Sequence, residues 1–143
     1  MSASPAVALV IAVYQRPQIL EFIFQSLENQ TWTDFEVVLA DDGSDAPVAS
    51  TVRRWKGRFR YPIRHVWQEN LGFRKTMIVN RAVAESTAEY LVFIDGDCIL
   101  HHRFVERHHV RRRRQRVLSG RRVMLDPALT ARLTLDDVRT CRI

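Results

Sequence analysis

Three apolar runs, each stopping abruptly at polar residues, restrict what this chain can fold into. Residues 7–13 read VALVIAV, residues 35–40 read FEVVLA and residues 91–94 read LVFI. Largely apolar runs of this length, interrupted only by Glu36, suit strands buried on both faces, as in a parallel sheet. Patterns with helical spacing lie between them. Pro17–Asn29 carries Ile19, Leu20, Ile23 and Leu27, with Phe22 and Phe24 widening the apolar face, and Pro17 suits a first helical turn. Ala46–Trp55 is a weaker helix because of Pro47 and its β-branched residues. Ile63–Trp67 is a short third strand. Lys75–Ser86 is a helix with Ile78, Val79, Ala82 and Val83 inward, and Glu89–Ile94 is the fourth strand. Strands alternating with helices form βαβ units, and right-handed crossovers put their carboxyl ends on one edge.

Beyond residue 97 the pattern weakens. His101–Gln115 reads as a helix with little apolar face, and Val117–Leu125 as a further strand with Gly120 at a bend. Asp126 and Pro127 suit an N-cap and first helical position, starting a helix with Leu129, Leu133 and Val138 inward.

The 143 residues suffice for one domain with a real core, and 46% hydrophobic with 27% charged content reads as globular. No apolar stretch approaches the roughly 18 residues of a membrane span. Residues 5–13 (PAVALVIAV) are shorter and lack the basic flank of a signal peptide. Cys98 and Cys141 lack CxxC spacing, which reads as reduced thiols in a cytoplasmic protein. The net charge of +6 rests on arginine, since Lys56 and Lys75 are the only lysines. Arg111–Arg114, Arg116, Arg121 and Arg122 hold much of the excess. Such a run meets an anionic partner or forms a solvated face. Aromatic residues are not interleaved with it, which argues against single-stranded nucleic acid.

The chemistry gathers at the strand ends: Tyr14-Gln15-Arg16, the acidic run Asp41 to Asp45, and Asp95-Gly96-Asp97. In open parallel sheets ligands sit beyond such ends. Two carboxylates one residue apart repel, and a divalent cation relieves the repulsion; hard oxygen ligands suit Mg²⁺ or Mn²⁺. An Asp-Gly turn that merely ends a strand is the alternative. Acids, a metal, an aromatic and a cation together suit a nucleoside diphosphate. Tyr14 would stack on a base or pack under the next loop. Asp42 would accept from a uracil N3–H or a ribose hydroxyl, or cap a turn. Arg74 or Lys75 would meet phosphate oxygens or stay solvated.

The ordered blocks VIAVYQRP (10–17), QTWTDFEVVLADDGS (30–44), QENLGFR (68–74), NRA (80–82) and FIDGD (93–97) resemble the family 2 inverting glycosyltransferases with the GT-A fold. Residues 119–123 (SGRRV) are similar to bacterial members that build polysaccharide or lipopolysaccharide. The resemblance implies an α/β, Rossmann-like nucleotide-diphospho-sugar transferase fold. It also implies a mostly parallel sheet flanked by helices, with Mn²⁺ or Mg²⁺ and a nucleotide-sugar donor, most often a UDP-sugar. The acceptor would be a saccharide or a lipid-linked group. Matched by motif, Ala12, Val13 and Tyr14 would line the nucleoside pocket and Asp42 would contact the base. Asn70, Gly72, Arg74 and Lys75 would lie near nucleotide or sugar. Asp97 would be the direct metal ligand, while Asp95 would share the metal or face ribose or sugar.

Ala12 and Gln15 are mild departures from Pro or Thr and from Asn. The acidic catalytic base of the family is not identified, and the resemblance puts it beyond Ile143. Residues 1–143 then form one nucleotide-sugar-binding domain, with a nucleotide-binding core over 1–97. Residues 98–143 start an acceptor-side region, so that the fold is truncated after its donor-binding half. A peripheral place on the inner face of the plasma membrane would bring Arg111–Arg116 to anionic lipid. Two other classes remain open: a basic module binding nucleic acid or a membrane surface without catalysis, and a phosphohydrolase with Asp95 as nucleophile. The latter expects its motif on the first strand rather than the fourth.

Overall fold

The computed structural model describes residues 4–143. Its elements are β1 (Val7–Val13), α1 (Pro17–Glu28), β2 (Phe35–Asp41), α2 (Ala46–Lys56), β3 (Ile63–Trp67), α3 (Lys75–Glu85) and β4 (Tyr90–Asp95). Then come α4 (Phe104–Arg111), α5 (Pro127–Arg132) and α6 (Leu135–Arg139). The four strands pair in parallel in the order β3-β2-β1-β4. The expected α/β architecture is therefore present, and the carboxyl ends of all four strands lie on one edge.

Alternate residues of β1 serve two cores. Val7, Leu9, Ile11 and Val13 pack with Leu20, Ile23, Phe24 and Leu27 of α1, Trp55 of α2 and Val105 of α4. Val10 of β1 joins Val38 and Ala40 of β2 under Ile78 and Ala82 of α3. A strand covered on both sides must be apolar at every position, which is why VALVIAV has no polar alternation. The helix starts follow local chemistry: α1 and α2 carry proline in their first turns, and the Asp126 carboxylate caps α5 at Leu129 N, 2.8 Å away.

Four expectations need correction. The strand at 90–95 is not buried on both faces. Tyr90 and Ile94 pack on the α1 side, but Phe93 faces the other way and is 55% exposed. The reason is that α3 packs chiefly on β2, β1 and β3, and reaches β4 through the Lys75–Asp95 pair at the strand's end. The helix expected over His101–Gln115 spans only Phe104–Arg111. Arg111–Arg114 place like charges three residues apart, where helical spacing would make them repel. Val117–Leu125 forms no strand; its residues are irregular and mostly exposed. The helix starting at Asp126-Pro127 is two helices, because Thr134 opens a second one with a reciprocal capping box to Asp137. Val138 is buried, while Leu129 and Leu133 are only partly so.

Helix α4 docks through aromatic contacts. His109 stacks on Trp32 with ring centroids 3.9 Å apart, and His108 Nδ1 lies 3.4 Å from the Tyr90 hydroxyl and beside Phe104. Burial lowers the pKa of both imidazoles below the ordinary 6.5, and Arg112 adds to the effect at His109.

Two predictions follow from this packing. Phe93→Ala should cost under about 1 kcal/mol in urea unfolding, whereas Phe24→Ala, in the filled core, should cost about 3–5 kcal/mol. A pH effect should accompany the α4 histidines. Their folded pKa values lie below those of the unfolded chain, so protonation favours unfolding; their contribution is complete above the ordinary imidazole range and fades as pH falls through it. The urea midpoint should be lower at about pH 5 than at about pH 7.5, and His108→Phe should flatten part of that slope.

Candidate active site

At the end of β1 the chain turns through two left-handed residues, Gln15 (φ 57°) and Arg16 (φ 56°). Side chains are rarely at ease there. The Gln15 N–H donates to Ser44 Oγ at 2.7 Å, and its side-chain amide both donates to Asp45 Oδ2 (3.1 Å) and accepts from Asp45 N (3.3 Å). These bonds hold the turn and leave Tyr14 as an exposed ring at the sheet edge, its hydroxyl accepting from Asn70 Nδ2 at 3.3 Å. Ala12 and Val13 are backbone partners in the sheet just behind it.

The end of β2 carries two buried carboxylates. Asp41 accepts from Ser44 N at 2.8 Å and meets His65 Nε2 of β3 at 2.7 Å. Asp42, 5% exposed, accepts from Gln68 Nε2 through Oδ1 (2.5 Å) and from Arg74 N through Oδ2 (2.8 Å). Its own N–H donates to Val13 O at 3.0 Å. One residue thus joins the ends of β1 and β2, through its backbone, to both ends of the 68–74 loop, through its carboxylate. Gly43 (φ +92°) makes the junction possible, since a Cβ there would fall 2.6 Å from Asn70 Cα. Within the loop Gly72 N donates to Asn70 Oδ1 (3.3 Å), and Arg74 donates through one terminal nitrogen to Glu69 O (2.6 Å). The Arg74 Nε is buried with no partner.

At the end of β4, Asp95 lies in register with Ala12. Gly96 follows at a close approach: a Cβ there would sit 2.5 Å from Ala12 O. Glycine is therefore required by the sheet, not only by a turn. This is where the strand order reverses, with β2 on one side of β1 and β4 on the other. Such a switch point opens a ligand crevice. Asp95 forms an ion pair with Lys75 at the start of α3, and its second oxygen is 3.5 Å from Arg122. Asp97 is exposed and accepts from the Cys98 thiol at 3.5 Å. Burial pushes that thiol's pKa up, and Asp97 adds to the shift. Behind the turn, Ser26 Oγ accepts from Leu100 N (3.2 Å), while Gln30 donates to His101 O (3.0 Å) and accepts from Val105 N (3.0 Å). The loop after the acidic pair is thereby fastened to α1.

All ten residues expected from the sequence line this one edge or its bordering loops. The structure adds others. Asp41, Ser26 and Gln30 position the turns, and Arg122 reaches Asp95 from the irregular segment after α4. Arg122 carried no signal beyond the SGRRV resemblance, because sequence spacing does not tell where an irregular segment runs. Among the described residues no group of three His, Cys, Asp or Glu side chains could hold a metal unaided. Asp95 and Asp97 supply two hard carboxylates, which fits Mg²⁺ or Mn²⁺ sharing its remaining positions with water and phosphate oxygens. The acids after Glu106 serve local helix ends: Asp126 and Asp137 cap helices, and Asp136 pairs with Arg139 and Arg142.

This geometry has counterparts among known proteins. Residues 8–112 match the family described as glycosyl transferase family 2. Validoxylamine A glucosyltransferase of Streptomyces hygroscopicus subsp. jinggangensis is 34% identical over 104 residues, 71% of this chain and 24% of the relative. Chondroitin synthase of Escherichia coli is 31% identical over 91 residues, 63% of this chain and 13% of the relative. The chain thus spans about a quarter, or less, of the length of these relatives. A mannosyltransferase from Pyrobaculum calidifontis, solved with GDP-Man and Mn²⁺, superimposes with a TM-score of 0.58 at 25% identity, covering 67% of this chain and 28% of that one. S. aureus TarS 1–349, solved with UDP, gives 0.61 at 20% identity over 73% of this chain and 31% of its own. Ordered motifs, parallel sheet and family match agree that this chain belongs to glycosyl transferase family 2.

Proposed function

We propose that this chain is the donor-binding part of a metal-dependent, inverting glycosyltransferase that uses a nucleotide-sugar, with UDP-sugar the favoured donor. The observation that carries the reading is the Asp95-Gly96-Asp97 turn packed against Ala12 at the strand-order reversal, on the same sheet edge as Asp42 and Tyr14. The mannosyltransferase solved with GDP-Man and Mn²⁺ supports a donor of this class.

Tyr14 offers an exposed ring for the base, beside the backbone of Ala12 and Val13. Asp42 already accepts one bond on each oxygen, yet each carboxylate oxygen has two lone pairs. One acceptor position per oxygen is left for a base N–H or a ribose hydroxyl. Asn70 and Gly72 shape the loop that borders this space, and the Arg74 Nε in that loop is buried without a partner. Lys75 neutralises Asp95 and is close enough to turn to a phosphate. Asp97 and Asp95 would hold Mn²⁺ or Mg²⁺, which when bound supplies Lewis-acid stabilisation of charge on the departing diphosphate. An acceptor hydroxyl, deprotonated by a base outside this set, attacks the anomeric carbon in line. The bond to the diphosphate oxygen breaks with its electron pair staying on that oxygen, and the configuration inverts.

Saccharide and lipid-linked groups are the acceptor classes, and the arginine run supports a place at a membrane surface. Arg112–Arg116 border a recess with Glu89, Tyr90 and His109, and Val110 and Val117 are exposed beside them. Cations next to apolar side chains suit an anionic lipid headgroup layer. Among the described residues no helix is long and apolar enough to cross a membrane. The contact would be peripheral, on the cytoplasmic face.

Calorimetry should show UDP binding that weakens at least about 10-fold when Mn²⁺ is removed, and Asp97→Asn should reproduce the loss with metal present. Binding that ignores both would overturn the donor reading. In flotation assays the chain should bind vesicles containing anionic phosphatidylglycerol, not neutral ones. That binding should fall steeply between about 0.05 and 0.5 M salt, and replacing Arg112–Arg114 with glutamine should abolish it.

A further inference from the structure

We propose that Arg122 binds the diphosphate of the donor, as the second of two cations this chain brings to Asp95. The inference rests on the donor reading above and extends it to a residue outside the expected set. Arg112–Arg116 border Glu89 and Tyr90 at the start of β4, whereas Arg122 meets Asp95 at its end. The segment between them therefore runs the length of the outermost strand and delivers one arginine to the crevice. Among the described residues, no other arginine of the 111–122 run forms an ion pair with a carboxylate.

The state of that arginine suits a ligand-binding role. Its pair with Asp95 is long, 3.5 Å, and the two side chains are 67% and 47% exposed. An ion pair so open to water holds its partner weakly. The guanidinium is free to leave Asp95 for a more highly charged anion. A planar fork that bonds two oxygens at once matches a phosphate better than it matches half of a carboxylate already taken by Lys75. The charges also close. Asp95 and Asp97 carry two negative charges, and Lys75 and Arg122 carry two positive ones. With Asp95 and Asp97 holding a metal, Lys75 and Arg122 would be released from Asp95 to pair with the diphosphate oxygens. Cleavage of the sugar–phosphate bond leaves one further negative charge on the terminal phosphate, and a guanidinium at that position stabilises it.

The test compares nucleotides that differ by one phosphate. UDP and GDP, with UMP and GMP as their counterparts, are titrated by calorimetry into the 143-residue chain with Mn²⁺, using wild type, Arg122→Ala, Arg122→Gln and Arg122→Lys. Circular dichroism reports folding, and Arg122→Gln carries the comparison if Arg122→Ala is less stable. Loss of Arg122 should weaken the diphosphate about 10-fold or more while moving the monophosphate less than about 2-fold, and lysine should restore part of the difference. Unchanged diphosphate affinity, or equal losses for both nucleotides, overturns the role of Arg122 while leaving the donor reading standing. A wild-type chain that binds none of the four brings down the donor reading itself, and Arg122 with it.

Discussion

The Asp42 carboxylate is the constraint on which the rest of the site depends. A buried carboxylate is costly unless its acceptors are filled, and here Gln68 and the Arg74 N–H fill them. Those two donors come from opposite ends of one loop, so satisfying the charge also closes the loop. The backbone bond from Asp42 N to Val13 O ties the same residue to β1. Tyr14, Asn70, Gly72 and Lys75 then take positions relative to a single fixed point. Asp41 does for the Ser44 turn and β3 what Asp42 does for the 68–74 loop. Two adjacent acids that look alike in sequence thus act as cross-braces between strand ends.

This changes how the acids of the chain should be weighed. Glu36 is as buried as Asp41, yet it lies near the start of β2 and is held by Ser86, Thr87 N and Arg64. It is a structural lock far along the strand from the crevice. Asp95 and Asp97 differ in kind. They are partly or fully exposed, and their partners are solvent-exposed cations or a weak thiol donor. Acids held by backbone groups define shape, whereas acids held by exchangeable cations are available to a ligand. Topology also weighs against the phosphohydrolase reading, since Asp95 ends the outermost strand and not the central β1.

How much of this was legible in the sequence depends on the range of the force concerned. The bounds of β1 and the start of β2 were readable because largely apolar runs of this length suit the inside of a parallel sheet. The strand-end position of the site residues was readable because β-α alternation fixes strand direction. The exposed face of β4 was not, since LVFI describes side chains and not what covers them. The irregular course of 117–125 was missed for a related reason. Its apolar residues at either end fit a strand, but strand pairing is a contact with another segment and leaves no local mark. The shared duty of Asp42 and the reach of Arg122 are likewise properties of distant contacts.

The two ends of β4 show how one edge strand can serve different purposes. Near its start, arginines line a recess in which Glu89 is the one acid, a field suited to a broad anionic surface. At its end, one arginine and one lysine meet Asp95 beside Asp97, a nearly neutral cluster. A uniform basic edge would draw phosphate anywhere along its length. Confining the unbalanced charge to the start of β4, and balancing it at the end, lets the crevice discriminate. An anion without a metal meets carboxylates there, and a metal without an anion meets cations. On the donor reading proposed above, only the pair together would relieve both repulsions, a physical reason for the Asp95 cluster to prefer a metal–diphosphate over either component alone.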